Sequence, residues 1–391
     1  MDTCLLDIDG GGNRRTGPRG DGKGRRKGAG KDMNDIFERL RERLDSMATG
    51  YPKTASGVET RILRRLFGEE DARVFLAMGD APEDPVSLAG RMRLEPRDMA
   101  VRLEDMARRG LVFRMKRGGQ TLYLAVPFVV GIYEFQLNNL DPELLGDISE
   151  YYLSGLGASF HSLRTPHLRT IPIDTRIASG GPVAPYDDAR AIVGSKTKIA
   201  LAECFCRKAV RVYGKTCSHP METCMQFDAF AEYYLDNRMA RPVSKDEAMA
   251  VLDMCEEEGL VIHPVNSKSV EAMCACCSCC CGMLLSLKLF AAPALQAKST
   301  YTCAFDPSLC TSCGACGSRC PVGALRFKDG AVRLRPERCI GCGLCVSRCP
   351  AGALTLKKKD RGIEPPPETV FDTFALMRGE RVDGNEGQEG E

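Results

Sequence analysis

The 391-residue sequence lacks tryptophan and any apolar run long enough to span a membrane. The longest runs, Leu122–Tyr133 and a stretch from Met283 that Lys288 interrupts, fall short of about 18 residues. An excess of charge of one sign is also missing, because 54 Lys and Arg oppose 52 Asp and Glu. These absences argue against a membrane span and against a globally basic nucleic-acid binder. A hydrophobic fraction of 43% and a charged fraction of 27% predict a globular chain of two to three domains.

Cysteine, in contrast, is abundant, with 21 residues. Most of the cysteines lie two or three residues apart, and the sequence shows no secretory signal peptide. A secreted scaffold held by disulfides is therefore disfavoured, since thiols at this spacing suit ligands that converge on one metal centre. We expect a cytoplasmic protein whose cysteines bind metal.

The strongest pattern is a duplicated cysteine run near the C-terminus. Four cysteines and a proline follow the spacing x2, x2, x3, and the same spacing returns 29 residues later, which indicates an internal duplication. The two runs are Cys310, Cys313, Cys316, Cys320, Pro321 and Cys339, Cys342, Cys345, Cys349, Pro350. Zinc sites usually pair two Cys-x2-Cys knuckles across a longer gap. The pattern closely resembles the bacterial two-cluster ferredoxins over Thr302–Leu356.

This resemblance implies two [4Fe–4S] clusters, because in that family the fourth cysteine of each run ligates the other cluster. One implied ligand set is Cys310, Cys313, Cys316 and Cys349. The other is Cys339, Cys342, Cys345 and Cys320. Between the two runs, Leu325–Leu334 with Asp329-Gly330 at its middle predicts a short hairpin.

The charge of this segment departs from the small soluble ferredoxins, which are typically acidic. Between Cys303 and Pro350 we count seven Lys and Arg against three acids. Positive surroundings favour the reduced, more negative cluster and raise its potential. The basic charge puts in doubt an assignment as a free, low-potential electron carrier. A fixed module within a larger assembly fits this charge as well.

A second group of cysteines occupies the middle of the chain, where six lie within eight residues. A few neutral thiols can pack as small hydrophobes, as we expect for Cys255, but six cannot. Adjacent cysteines point in different directions, so one segment could serve two centres, or one centre plus a redox-active pair. We favour a third iron–sulfur centre, with zinc and thiol redox chemistry as alternatives, and we interpret His219 and His263 as structural. The candidate ligands are Cys204, Cys206, Cys217, Cys224, Cys274, Cys276, Cys277, Cys279, Cys280 and Cys281.

The N-terminal part of the chain has the element order of a winged helix. Helical periodicity covers Glu59–Phe67, Asp71–Met78, Val86–Met92 and Pro96–Arg109, and a hairpin around Gly118-Gly119 follows. The order resembles the winged-helix domains of small bacterial transcription regulators, whose second helix of the pair enters the major groove. That helix is nearly neutral here, with Met99, Leu103 and Met106 facing the core. The wing carries Arg114, Lys116 and Arg117, so DNA is a possible partner, but protein docking is favoured.

We predict an α+β, multi-domain protein that resembles multi-domain ferredoxin-like proteins of anaerobic bacteria. The predicted divisions are a basic Gly-rich disordered tail (1–32), a winged-helix-like domain (33–140), a connector (141–195), a Cys-rich domain (196–298), a dicluster ferredoxin-like domain (299–360) and a tail (361–391). Within the Cys-rich domain we predict that a helix follows Cys224 and ends at about Glu258, with Ser244 and Glu247 as a capping box. A short helix is predicted over Thr369–Met377.

The predicted function is iron–sulfur electron transfer. Because no dinucleotide-binding loop, P-loop or nucleophile elbow is visible, electrons are expected from a redox partner protein rather than from a bound nicotinamide. The alternatives are a redox-sensing DNA-binding regulator and an iron–sulfur oxidoreductase that acts at the Cys204–Cys281 centre.

Overall fold

The computed structural model describes residues 35–174, 178–179, 183–360 and 364–386. The predicted tail over 1–32 lies outside these residues. The helices are α1 (Ile36–Asp45), α2 (Val58–Leu66), α3 (Glu69–Ala77), α4 (Pro85–Met92), α5 (Pro96–Arg108), α6 (Pro142–Tyr151), α7 (Gly157–Ser162), α8 (Ala189–Ser195), α9 (Phe205–Val212), α10 (Asp228–Asp236), α11 (Lys245–Glu258), α12 (Gly282–Leu289), α13 (Pro293–Gln296), α14 (Ala315–Arg319) and α15 (Val370–Glu386). The strands are β1 (Phe113–Arg117), β2 (Gln120–Leu124), β3 (Ala178–Ser179), β4 (Ile199–Glu203), β5 (Glu222–Phe227), β6 (Ala240–Pro242), β7 (Val261–Pro264), β8 (Ala272–Cys276), β9 (Tyr301–Phe305), β10 (Leu325–Lys328), β11 (Ala331–Leu334) and β12 (Leu354–Lys358). This mixture of helices and separate sheets is consistent with the predicted α+β class.

The N-terminal unit contains the predicted helices and hairpin, with element ends within two residues of the prediction. Asp84 caps α4 by accepting hydrogen bonds from the backbone N–H groups of Val86 and Ser87. The three residues expected to face the core from α5 are buried, namely Met99, Leu103 and Met106. Helical periodicity in the sequence was therefore sufficient to place these helices.

The β1–β2 hairpin packs against the middle of the chain instead of projecting freely. The Arg114 side chain is only 5% exposed, and it pairs with Glu104 at 2.8 Å and with Asp236 at 3.3 Å. Lys116 also pairs with Asp236, at 2.9 Å, while Arg117 is exposed. Two of the three cations expected on the wing are thus paired with acids of the same chain, one of which lies at the end of α10.

The middle of the chain forms a five-stranded antiparallel sheet in the order β6-β4-β5-β8-β7. The helix predicted after Cys224 is α11, which ends at Glu258 as predicted, and the chain between Cys224 and α11 forms β5, α10 and β6. Strand β5 lies between β4 and β8, which buries Met225 and Phe227. The predicted capping box is confirmed in its Ser244 half, since the Ser244 side chain accepts from the Glu247 N–H at 3.1 Å, whereas the Glu247 carboxylate pairs with Arg241 at 2.7 Å. Cys255 of α11 is buried as expected.

The predicted connector contains α6, α7 and α8 and an extended stretch that joins two parts of the fold. Along this stretch, the Arg169 N–H donates to the Pro264 carbonyl in β7 at 3.1 Å, and the Ile173 N–H donates to the Cys342 carbonyl at 3.0 Å. Beside it, His167 is buried and stacks on Phe160, consistent with a packing role. The connector therefore ties the middle sheet to the C-terminal domain.

The C-terminal domain is closed by antiparallel pairing of β9 with β12, and β3 pairs with β12 on its other side. The predicted hairpin is confirmed as β10–β11, with Leu325 opposite Leu334. The predicted helix over Thr369–Met377 is confirmed within the longer α15, which returns to the N-terminal unit, where Arg381 pairs with Asp45 at 2.7 Å. Among the described helices, none has the length and apolar character needed to cross a membrane.

Candidate metal centres

The first cysteine-lined recess of the C-terminal domain has a volume of about 320 Å³. Its remaining walls are largely apolar and include Phe305, Val332 and Leu354. Three of its cysteines come from the first run and the fourth comes from the second run. They are Cys310, Cys313, Cys316 and Cys349.

A second recess, of about 340 Å³, repeats this arrangement with the runs exchanged. Three of its cysteines come from the second run, and Cys320 comes from the first. The set is Cys339, Cys342, Cys345 and Cys320, together with Cys303 from β9. The two recesses are nearly equal in volume, as expected for the products of a duplication.

Backbone N–H groups point at several of these sulfur atoms. The Ala324 N–H donates to the Cys320 sulfur at 3.1 Å, and the Ser312 N–H donates to the Cys310 sulfur at 3.4 Å. Such donors stabilise the thiolate form, which is the form that binds iron. Burial raises the pKa of Cys342 well above its ordinary value, so metal binding must displace its proton. Four thiols around an otherwise apolar recess fit the donor set of a [4Fe–4S] cluster.

Cys303 was missed as a site residue because it belongs to neither cysteine run. Its sulfur lies 3.9 Å from that of Cys345, and its N–H donates to the Cys339 sulfur at 3.3 Å. The sequence feature that could have identified Cys303 is its place in a strand that leads directly into the first cysteine run. The pairing of β9 with β12, which sets Cys303 opposite Leu356, brings it to the second recess.

The ten candidate ligands in the middle of the chain separate into two groups. The four-thiol group draws one cysteine from the loop after α9 and three from the turn between β8 and α12. Its sulfur atoms all lie within 4.8 Å of one another, and Cys279 is 3.6 Å from both Cys217 and Cys280. Its members are Cys217, Cys277, Cys279 and Cys280.

The remaining six cysteines, the six-thiol group, interact electrostatically from one thiol to the next in a continuous order. Its order is Cys204, Cys206, Cys281, Cys276, Cys274 and Cys224. Hydrogen bonds from Cys206 and then Cys276 lower the pKa of Cys281 to about 5. Hydrogen bonding with Cys274 raises the pKa of Cys224 well above its ordinary value. The segment Cys274–Cys281 therefore contributes to both groups.

Two cations lie beside these thiols. Arg207 is fully buried and donates to the Ala275 carbonyl at 2.8 Å and to the Thr223 hydroxyl at 2.7 Å. Burial acts to lower the pKa of Arg207, but the neighbouring thiols of Cys204 and Cys277 raise this pKa above its ordinary value. Lys288 donates to the Ser278 carbonyl at 2.6 Å. Positive charge so placed offsets the charge of thiolates bound to a metal.

The nearby carboxyl and imidazole groups have partners of their own. Burial raises the pKa of Glu134 to about 7, and its carboxylate accepts from the Gly131 N–H at 2.8 Å. His219 pairs with Glu258 at 3.2 Å, and His263 is hydrogen-bonded to Thr170 at 3.0 Å. Both histidines are consistent with the structural interpretation made from the sequence.

Helix α12 connects the six-thiol group with the second recess. Cys281 is the residue that precedes its first turn, and the helix is about 12 Å long at 1.5 Å per residue. At its other end, Arg338 donates to the carbonyls of Phe290 at 2.9 Å and Lys288 at 3.2 Å. Arg338 directly precedes Cys339 of the second recess.

Two further arginines that precede cluster-run cysteines contact the end of α11. Arg319 donates to the carbonyls of Glu257 at 2.9 Å and Glu256 at 2.6 Å, and Arg348 donates to the Glu257 carbonyl at 3.4 Å. The last carbonyls of a helix carry partial negative charge that attracts cations. Part of the unusual basic charge of this domain therefore fixes it to the middle of the chain.

Comparison with known families is consistent with this geometry. Residues 302–350 match the family model of a 4Fe-4S dicluster domain. No curated protein and no solved structure matches the chain. The chain is thus an iron–sulfur protein with a ferredoxin-type domain near its C-terminus, and electron transfer is the activity that such a domain supports.

Proposed function

We propose that the chain transfers single electrons through two [4Fe–4S] clusters held by crossed ligand sets. The first cluster takes Cys310, Cys313, Cys316 and Cys349, and the second takes Cys339, Cys342, Cys345 and Cys320. The observation that carries this proposal is the composition of the two recesses, each of which combines three cysteines of one run with the last cysteine of the other. A zinc knuckle would not require this exchange.

The clusters supply one-electron redox chemistry, and the protein sets their surroundings. N–H groups at the sulfurs of Cys310, Cys320 and Cys339 stabilise the more negative, reduced state. The walls of both recesses are largely apolar, and the second is the more buried, because Cys339, Cys342 and Cys345 are buried whereas Cys313 of the first is exposed. The arginines that contact α11 and α12 hold the domain in one orientation, which suits a fixed electron relay.

The second cluster and the six-thiol group are the two ends of the proposed internal path, because α12 joins them. A redox partner protein exchanges electrons with the first cluster, whose Cys313 is exposed. An iron–sulfur centre held by the six-thiol group would receive or donate single electrons within the same chain, which free thiols cannot do. The contacts of Arg114 and Lys116 favour this function over DNA regulation, since they direct the wing towards α10.

The crossed ligand sets can be tested on the full-length protein purified without oxygen. Iron and acid-labile sulfide are counted per chain for the wild type and for Cys349→Ser and Cys320→Ser. Each substitution is expected to lower iron by about four atoms per chain or to convert one cluster to a three-iron form with a distinct EPR signal. Cys255→Ala, a buried cysteine outside both runs, is the matched control. Unchanged iron and unchanged EPR spectra in both serine variants would contradict the proposal.

A further inference from the structure

The four-thiol group differs in shape from the cysteine-lined recesses of the C-terminal domain. Its four sulfur atoms gather around one point, all within 4.8 Å of one another. Across the described residues, this is the one set of Cys, His, Asp and Glu in which three or more ligand atoms lie so close. The cysteines of the ferredoxin-type domain instead surround recesses of about 320 and 340 Å³.

The spacing of the sulfur atoms distinguishes one metal ion from a cluster. Zinc–sulfur bonds are about 2.3 Å long, so two thiolates of one tetrahedral ion lie about 3.8 Å apart. In a [4Fe–4S] cluster each cysteine binds a different iron atom, and the sulfurs must lie farther apart than one tetrahedron allows. The separations of 3.6 Å from Cys279 to Cys217 and to Cys280 match the single ion.

We propose that Cys217, Cys277, Cys279 and Cys280 bind a single Zn²⁺ ion in tetrahedral coordination. This site lies beyond the proposed electron-transfer function and does not depend on it. It makes the middle of the chain a region of two centres, because the six-thiol group has its own members. The two groups separate because successive residues of an extended backbone, such as Cys276 at the end of β8 and Cys277 directly after it, point to opposite sides.

The surroundings of the site suit its charge. Four thiolates and Zn²⁺ carry a net charge of −2, and the Arg207 and Lys288 side chains next to them offset it. Arg207 is held by the carbonyls of Pro220 and Ala275, so its position is fixed before metal binds. A metal here ties the loop after α9 to the turn before α12, and its binding energy contributes to folding.

The first test is the metal content of the full-length protein, purified anaerobically from cells grown with both iron and zinc. We expect about one zinc per chain in the wild type. Cys217→Ser and Cys280→Ser are expected to lose most of the zinc and leave the iron content unchanged, and Cys255→Ala is expected to retain both metals. Absence of zinc from the wild type, or loss of about four iron atoms in either serine variant, would overturn the proposal.

The second test needs no variant, and it covers the case in which the serine variants do not fold. Zinc K-edge EXAFS of the wild type is expected to give four sulfur neighbours at about 2.3 Å and no neighbouring iron shell. Nitrogen or oxygen neighbours in the majority would refute the four-thiol assignment. Cobalt(II) bound in place of zinc gives an independent readout, because tetrahedral thiolate coordination produces intense d–d absorption. Failure of this proposal leaves the iron count and the EPR test of the two clusters unaffected.

Discussion

The Arg338 guanidinium donates to the Phe290 carbonyl oxygen at 2.9 Å and so fixes the ferredoxin-type domain to the end of α12. The same side chain donates through Nε to the Val322 carbonyl beside the second recess, at 3.0 Å. One residue thus contacts both the proposed cluster site and the helix that leads to the six-thiol group. The relative position of the second recess and the six-thiol group depends on this side chain.

Replacing Arg338 by Gln is expected to lower the free energy of unfolding by about 2 kcal/mol, because several half-buried carbonyls lose their donor. Faster hydrogen exchange at the end of α12 should accompany this loss. Arg335→Gln is the matched control, since Arg335 pairs with Glu337 near the surface at 2.9 Å. Equal stability and exchange in the two variants would show that Arg338 does not fix the domain.

Arg114→Gln is expected to destabilise the protein by about 2 kcal/mol, since Glu104 and Asp236 lose a buried cation. Arg117→Gln, on the exposed end of the same strand, should change stability by less than about 0.5 kcal/mol. Chemical denaturation followed by circular dichroism measures both effects.

A DNA titration of the oxidised and the reduced wild-type protein should give equal, weak affinities. Tight binding in one redox state alone would favour a redox-sensing DNA-binding regulator.

Cys303→Ser is expected to keep the full iron content, because the second recess holds four other cysteines. Cys345→Ser, whose sulfur is the neighbour at 3.9 Å, should lose cluster iron. Iron analysis and the visible absorption of the two variants provide the comparison. Loss of iron in the Cys303 variant alone would assign Cys303 as a ligand in place of Cys345.

Burial lowers the pKa of His167 to about 3, so this residue makes stability depend on pH. Its ordinary pKa is about 6.5, and below that value the unfolded chain binds a proton that the folded chain does not. The contribution is therefore complete above pH 6.5 and decreases by up to about 1.4 kcal/mol per unit as the pH falls towards 3. In His167→Phe, denaturant midpoints between pH 5 and 7.5 should vary less than in the wild type. Equal slopes would contradict this assignment.

The sequence was sufficient wherever a feature depends on local residues. The resemblance of the two cysteine runs to two-cluster ferredoxins implied the cysteine sets that the recesses bring together, and the cap at Ser244 marked the start of α11. Pairing of β5 between β4 and β8 could not be anticipated, since the alternation in Glu222–Phe227 is short and the partner strands are distant in sequence. The division of ten middle cysteines into two groups also depends on this sheet and on the turn before α12.

The most direct test of the account is the EPR spectrum of the fully reduced, full-length protein. Two [4Fe–4S] clusters in the neighbouring recesses are expected to give the broadened spectrum of two spin-coupled centres, and partial reduction should first give an uncoupled signal. Cys349→Ser or Cys320→Ser should remove the coupling. A wild-type spectrum from a single, uncoupled cluster at full reduction would contradict the two-cluster proposal.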